Sequence, residues 1–196
     1  MKYIDLTMLF NSDIPVYPGD PKPIIKQCAT YAQDGWNEHE YTVRSHHGTH
    51  IDYPLHMVAD GKTQNDYDLD KHIGTGKIFD VRGKRHIDEN LDSVEEGDIV
   101  LFCTGSSGHN QAPVITQQFA DALVAKKVKM IGLDTWSADK GAPFPIHKTL
   151  LGNDILIVEG LTNLDKLLGK KFKVYVAPLK MDNFDGSPCR VFAEIL

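Results

Sequence analysis

The sequence predicts an α/β fold with a mixed sheet, carried by one domain over residues 1–196. Three observations predict it. Several short apolar runs are unbroken, as in strands buried on both faces. In the second half these runs alternate with helix-period segments, whereas the β-leaning segments of the first half are polar. Finally, 196 residues with 41% hydrophobic and 24% charged content suit a single globular core. No repeat, low-complexity tract or linker-like shift in composition interrupts the chain.

Residues 15–21 (PVYPGDP) are too rich in proline for a helix or a central strand and read as a loop. Residues 38–44 predict a polar strand, with Tyr41, Thr42 and Val43 as its β-formers. Residues 77–80, 99–103, 130–133, 155–158 and 174–177 predict buried strands, and 190–196 one more. Ile115, Phe119, Ala122 and Leu123 fall near helical spacing and predict a helix over 115–127, with Pro113 before it and lysines at its end. Shorter helices are expected at 146–151 and 164–168. The glycine–serine loop 104–108 lacks the GK[ST] ending of a phosphate-binding loop and reads as a turn.

Charge and cysteine content exclude several functions. Lys plus Arg number 21 against 27 Asp plus Glu, a net charge of −6, so nucleic acid is not an expected partner. Cys28, Cys103 and Cys189 are distant from one another and form no CxxC pair, which predicts buried free thiols rather than disulfides or a thiolate zinc site. No apolar run reaches membrane-spanning length, and the first residues lack a signal-peptide core, so a cytoplasmic protein is expected.

Three apolar runs end in an acid, at Asp80, Asp134 and Glu159, and ligands of α/β sheets bind beyond the carboxyl ends of strands. Asp80 reads as a cap. Asp134 reads equally as a cap or a functional group, and Glu159, a poor cap followed by Gly160, as functional.

Histidine carries the strongest signal: nine in the chain, four of them between positions 46 and 56. His46, His50, Asp52 and His56 share one parity. A straight strand would hold His46 and His50 about 13 Å apart, too far for one ion. A helix is disfavoured by Gly48, Thr49, Ile51 and Pro54. A turn at Gly48 would let the two rings converge, with Asp52 beside them. Imidazole plus carboxylate suits a divalent ion such as Zn²⁺ or Mn²⁺; the competing reading is a histidine-rich surface loop that binds nothing. His47 has the other parity and is left out. His39, His72, His86 and His109 stand alone and read as surface or capping residues.

These residues, His-x-Gly-Thr-His-x-Asp-x-Pro-x-His over 46–56, resemble the signature of the cyclase-like metal-dependent hydrolases, whose best known members are the bacterial kynurenine formamidases. Four further segments resemble that family in order: residues 15–20, Ile131 to Asp134 with Ser137 and Asp139, His147 to Leu151 followed by Ile157 to Leu161, and Ala177 to Leu179 with Asp185 to Arg190. The resemblance implies a swivelling β/β/α domain with a central mixed sheet or barrel flanked by helices, assembled as a homodimer or homotetramer. It also implies one or two divalent ions, Zn²⁺ first and Mn²⁺ second, on His46, His50, Asp52, His147 and Glu159. His56 would be the catalytic acid/base, and Tyr17 would bind the substrate.

The implied activity is hydrolysis of a small N-formyl aryl amide of the N-formylkynurenine type. The chemistry agrees: a bound ion makes water acidic enough to attack at neutral pH, and a histidine can protonate the leaving amine. The alternatives are a related enzyme acting on a cyclic amide or lactone or performing a cyclisation, and a non-catalytic metal- or ligand-binding protein. Tyr53 and Trp136 are expected near the mouth of the pocket.

Overall fold

The computed structural model describes residues 2–106 and 112–196. His109 and the end of the 104–108 loop therefore lie outside the described residues. Along the chain the elements are β1 (Tyr3–Asp5), β2 (Ile24–Ala29), α1 (Tyr31–Asp34), β3 (Glu38–Thr42), β4 (His50–Asp52), β5 (Ile73–Asp80), β6 (His86–Ile87), β7 (Ile99–Cys103), β8 (Val114–Ile115), α2 (Gln117–Ala125), β9 (Met130–Leu133), α3 (Pro145–Leu151), β10 (Leu156–Glu159), β11 (Phe172–Pro178) and β12 (Gly186–Ile195).

The predicted α/β fold with a mixed sheet is present, and the sheet is closed. Strands β5, β7, β9 and β10 run parallel as neighbours; β4, β12 and β11 complete the ring antiparallel. The seven strands make a barrel, with β1 added on the far half of β12. The unbroken apolar runs have the physical cause the pattern suggested. In β7, Ile99, Leu101 and Cys103 face the barrel interior with Met130, Leu156, Val174 and Val191. Val100 and Phe102 face outward, where Phe119 and Leu123 of α2 and Ile146 and Leu150 of α3 cover them.

The differences from expectation have local reasons. Helix α2 begins at Gln117 rather than at 115, because the Thr116 hydroxyl accepts from the Phe119 N–H and caps it there, leaving Val114 and Ile115 to pair with β6. Residues 164–167 form a 3-10 turn, and β5 and β12 are longer than their apolar runs. The polar strand of the first half pairs with β2 as a separate two-stranded ribbon. All of β3 is exposed, as are Ile24, Tyr31, Trp36 and Tyr41. Among the cysteines, Cys103 and Cys189 are buried as expected, but Cys28 lies on this ribbon and is exposed.

Two aromatic and histidine readings are corrected. Tyr53 is not at a pocket mouth: it has the parity of Ile51, points into the barrel interior and is fully buried, stacked on Tyr67. His72 is not a surface residue; it is buried beside Tyr53. Its Nδ1–H donates to the Asp68 carbonyl at 3.2 Å, so Nε2 accepts from the Tyr53 hydroxyl at 2.7 Å. Tyr53→Phe leaves that buried nitrogen without a donor, a loss of about 1–3 kcal/mol. The expected result is a melting temperature lower by several degrees with metal content unchanged, measured by thermal unfolding and metal analysis; an unaltered melting curve would contradict the pairing.

Candidate metal and active site

Strand β4 lies at the seam of the barrel, between β10 and β12. Asp52 stands opposite Ile157 on one side and Gly186 on the other, and His50 stands opposite Glu159. Just before the strand, Gly48 takes φ 71, the left-handed turn expected there, and a Cβ at that position would meet the Phe10 ring at 2.8 Å. The turn brings the His46 and His50 rings to 5.1 Å, edge to face. Gly186 allows the approach from the other wall, since a Cβ there would lie 2.5 Å from the His46 ring. His147 arrives from α3. That short helix is seated by Asp139, whose carboxylate accepts from the N–H groups of Ile146 and His147 and from the His147 ring.

Asp52 is the centre. Its Oδ1 lies 2.7 Å from His46 Nδ1 and 3.4 Å from His50 Nε2. Oδ2 lies 3.6 Å from His147 Nε2, and Glu159 Oε1 lies 3.3 Å from the same nitrogen. The outer nitrogen of each histidine has an acceptor: Asp185 for His46 at 2.9 Å, the Gly48 carbonyl for His50 at 3.0 Å, and Asp139 for His147 at 2.7 Å. Such outer partners orient imidazoles whose inner nitrogens serve as ligands.

Four of these groups, His50, Asp52, His147 and Glu159, are buried. Burial alone would lower the His46 pKa and raise that of Asp52. Their mutual attraction, with Asp185 also acting on His46, raises the imidazole to about 10 and holds the carboxyl well below its ordinary value. His147 is likewise lifted to about 10 against its burial, by hydrogen bonds to Asp139 and Glu159. The cluster is therefore a well of negative potential. Among the described residues Asp52 Oδ2 has no hydrogen-bond partner, a costly state for a buried carboxylate oxygen and the observation by which these residues fit a divalent cation. His50, Asp52 and Glu159 converge closely enough to share one ion, as do His46, Asp52 and His56.

His56 sits on the 3-10 turn Pro54–His56, its ring 3.8 Å from that of His46. Its Nδ1 is 3.5 Å from Asp185 Oδ2, and the Asp185 carboxyl is held far below the usual range by its bonds to His46 and His56. A cavity of about 470 Å³ opens onto His46, His50, His56, His147 and Glu159, with Val16, Tyr17, Met57, Trp136 and Phe144 as its apolar wall. Tyr17 thus lines the cavity, 6.5 Å ring to ring from Phe144, and Trp136 is at the cavity as expected.

All the residues singled out for metal, catalysis and substrate come together here. The other two strand-end acids do not: Asp134, which the sequence left open, accepts from the Thr104 N–H and hydroxyl and the Gly105 N–H, so it anchors a loop, and Asp80, read as a cap, accepts from the Arg82 N–H and pairs with its guanidinium. His47 is buried, with its Nδ1 accepting from the Arg44 N–H. Sequence reasoning did not assign roles to Asp139 and Asp185. Both lie in segments that resemble the family, which gave neither a role; Asp139 is also an acid shortly before a helix, whereas Asp185 is 139 residues from His46.

Comparison with known proteins agrees with this arrangement. The profile of the family described as putative cyclases matches residues 4–140. A kynurenine formamidase of Bacillus cytotoxicus is 31% identical, covering 100% of this chain and 98% of its own length. One from Bacillus anthracis is 31% identical over 96% of this chain and 95% of its own. Among solved structures, a potential metal-dependent hydrolase with cyclase activity superimposes with a TM-score of 0.80 at 30% identity, covering 98% of this chain and 96% of that one. Isatin hydrolase A from Labrenzia aggregata shares the fold, with a TM-score of 0.87 at 24% identity over 98% and 93% of the two chains. A full-length likeness to formamidases, a matching barrel and a cation-seeking histidine–carboxylate cluster place this chain in the putative cyclase family, as a metal-dependent amide hydrolase.

Proposed function

We propose that the protein hydrolyses a small N-formyl aryl amide of the N-formylkynurenine type. The observation that carries the reading is the partnerless buried Asp52 Oδ2, set among inward-facing histidine nitrogens beside an aromatic-walled cavity. The ligand set is His46, His50, Asp52, His147 and Glu159. Asp52 presents one oxygen to the His46/His50 side and the other to His147, so the set would hold one or two ions. Zn²⁺ is the first choice and Mn²⁺ the second. A divalent cation held there supplies Lewis acidity for the carbonyl and acidifies a water for attack.

The chain's own groups do the rest. Tyr17, Trp136 and Phe144 hold the aryl ring and exclude bulk water. Asp185 engages His56 Nδ1, leaving Nε2 to exchange protons. Nε2 takes a proton as water adds to the formyl carbon, then returns it to the anilide nitrogen as the C–N bond breaks, releasing formate and the aryl amine. A second reading, opening of a cyclic aryl amide, is favoured by Trp136, which lines the cavity and offers an indole face for a fused ring to stack on.

Protein reconstituted with Zn²⁺ or Mn²⁺ is expected to cleave N-formylkynurenine and formanilide faster than cyclic aryl amides. Turnover of the cyclic panel alone would move the assignment to the second reading, and turnover of none would end both. A homodimer or homotetramer is part of the proposal, supported by the exposed apolar side chains of the β2–β3 ribbon; a monomer at micromolar concentration in sedimentation would contradict it. A cytoplasmic setting is also proposed, supported by free Cys28, Cys103 and Cys189.

A further inference from the structure

The His56 side of the cavity is built by two loops far apart in sequence. One runs from Tyr53 to Asp66 and bears His56; its limbs are tied by the Leu55 N–H, which donates to the Lys62 carbonyl at 2.9 Å. The other, residues 179–185, straps β11 to β12 and ends on Asp185, which reaches His46 at 2.9 Å and His56 at 3.5 Å. Apolar packing does not hold the strap, since its side chains Leu179, Met181 and Phe184 are exposed. Hydrogen bonds to the first loop do.

Gln64 is buried and grips the strap at three points. Its Nε2 donates to the Leu179 carbonyl at 2.6 Å, its Oε1 accepts from the Met181 N–H at 3.0 Å, and its own N–H donates to the Phe184 carbonyl at 3.1 Å. A carbonyl only accepts and an N–H only donates, so the amide has one orientation here, and a carboxylate would serve only one end. Asn65 repeats the pattern from the exposed side. Its Nδ2 donates to Asp182 Oδ1 and its Oδ1 accepts from the Asn183 N–H, both at 3.0 Å, where Asn183 turns the strap at φ 57. The Tyr53 N–H pins the Asp185 carbonyl at 2.9 Å. Asp185 is thus fixed at its own carbonyl and, through Gln64 and Asn65, along the chain that leads to it.

A buried side-chain amide engaged wholly by the backbone of a loop fixes that loop's path and adds no apolar cohesion. The two loops joined here carry one partner each of the Asp185–His56 contact. That contact is the longer of the two Asp185 makes to a histidine ring, 3.5 Å against 2.9 Å, so it tolerates least shift of the strap. We propose that Gln64 is a positioning residue for the reaction: its amide clamp sets Asp185 against His56 Nδ1 and so keeps the His56 ring turned with Nε2 free for proton exchange.

This inference rests on the hydrolase reading above, and its test separates the two. Gln64→Met keeps the side chain's length and removes both ends of the clamp. With Zn²⁺-loaded protein and N-formylkynurenine, kcat is expected to fall about ten- to a hundredfold, with KM and metal content near wild type, as loss of alignment does. In an Asp185→Ala background the same substitution costs almost nothing further, because the group it acts through is gone. Asn65→Ala, at an exposed position, is expected to lose severalfold with the same non-additivity, and it carries the test if Gln64→Met does not fold. Nitrogen-15 NMR of the imidazoles, at a pH where His56 is neutral, gives a readout independent of turnover: the Nδ1–H tautomer in wild type, a mixture of tautomers in the clamp variants. A kcat within about twofold of wild type in both clamp variants, or an undiminished loss in the Asp185→Ala background, overturns the clamp and leaves the hydrolase reading standing. A wild type that cleaves no aryl amide ends the hydrolase reading, and the His56 tautomer then decides the clamp: an unchanged signal in both variants overturns it, and a shifted one upholds it.

Discussion

Asp52→Asn is expected to lower hydrolysis by about a thousandfold or more and to strip the protein of tightly held metal. The substitution preserves shape and removes one charge, so the barrel stays intact while the cluster changes. Asp52 faces both sides of the cluster, with Oδ1 toward His46 and His50 and Oδ2 toward His147, and Glu159 supports it with Oε2 toward His50 and Oε1 toward His147. An amide in its place offers a single oxygen and turns two N–H donors toward nitrogens that should themselves bind an ion. Bound metal supplies several kcal/mol of transition-state stabilisation, and each 1.36 kcal/mol is worth a factor of ten, which gives the size of the loss. Metal analysis after dialysis against a weak chelator, together with far-ultraviolet circular dichroism, checks it. A folded Asp52→Asn protein that retains wild-type metal and activity would remove Asp52 from the ligand set.

His56→Ala should have a different signature: kcat falls by about 10²–10⁴-fold while metal content stays at the wild-type level. The side chain is 24% exposed and lines the cavity, so truncation opens space to solvent and leaves no sealed void. Asp185 keeps its 2.9 Å bond to His46, so the histidine–carboxylate cluster is not released. The contrast between the two variants is what distinguishes a group that holds the ion from one that moves protons. If His56→Ala loses metal together with activity, His56 is a ligand, as its convergence with His46 and Asp52 permits. If it retains full kcat, it is neither.

Much of this was legible in the sequence because it is local. The parity of His46, His50, Asp52 and His56 and the turn at Gly48 are written within one short segment, and so are the apolar runs of β7, β9 and β10. Closure of the sheet was legible only as one of the two forms the family resemblance implies and not in the strands themselves, since it depends on β12 bridging β11 and β4, and a strand's periodicity does not state its neighbours. For the same reason Asp185 had no visible role: only closure brings it to His46 and His56. Tyr53 was misplaced because bulk near a motif says nothing about which face a side chain takes, whereas the alternation from Asp52 to Tyr53 does, and His72 because its polar neighbours in sequence do not show that Tyr53, 19 residues away, covers it. The 115–127 helix was drawn too long because apolar spacing outweighed Thr116, whose capping hydroxyl sets the true start.

The seam at β4 also orders events in time. A ribosome delivers His46, His50 and Asp52 well before Asp185, and His46 then waits for a partner 139 residues away. Loop-closure entropy makes such distant pairing slow. The nascent chain therefore exposes a histidine-rich segment that has no rigid cage, and the cage exists only once the ring is shut. Metal capture is expected to follow folding rather than guide it, and an ion bridging β4, α3 and β10 would then act as a clasp on the closed ring. Its kinetic mark is slower unfolding of the loaded protein with an unchanged folding rate.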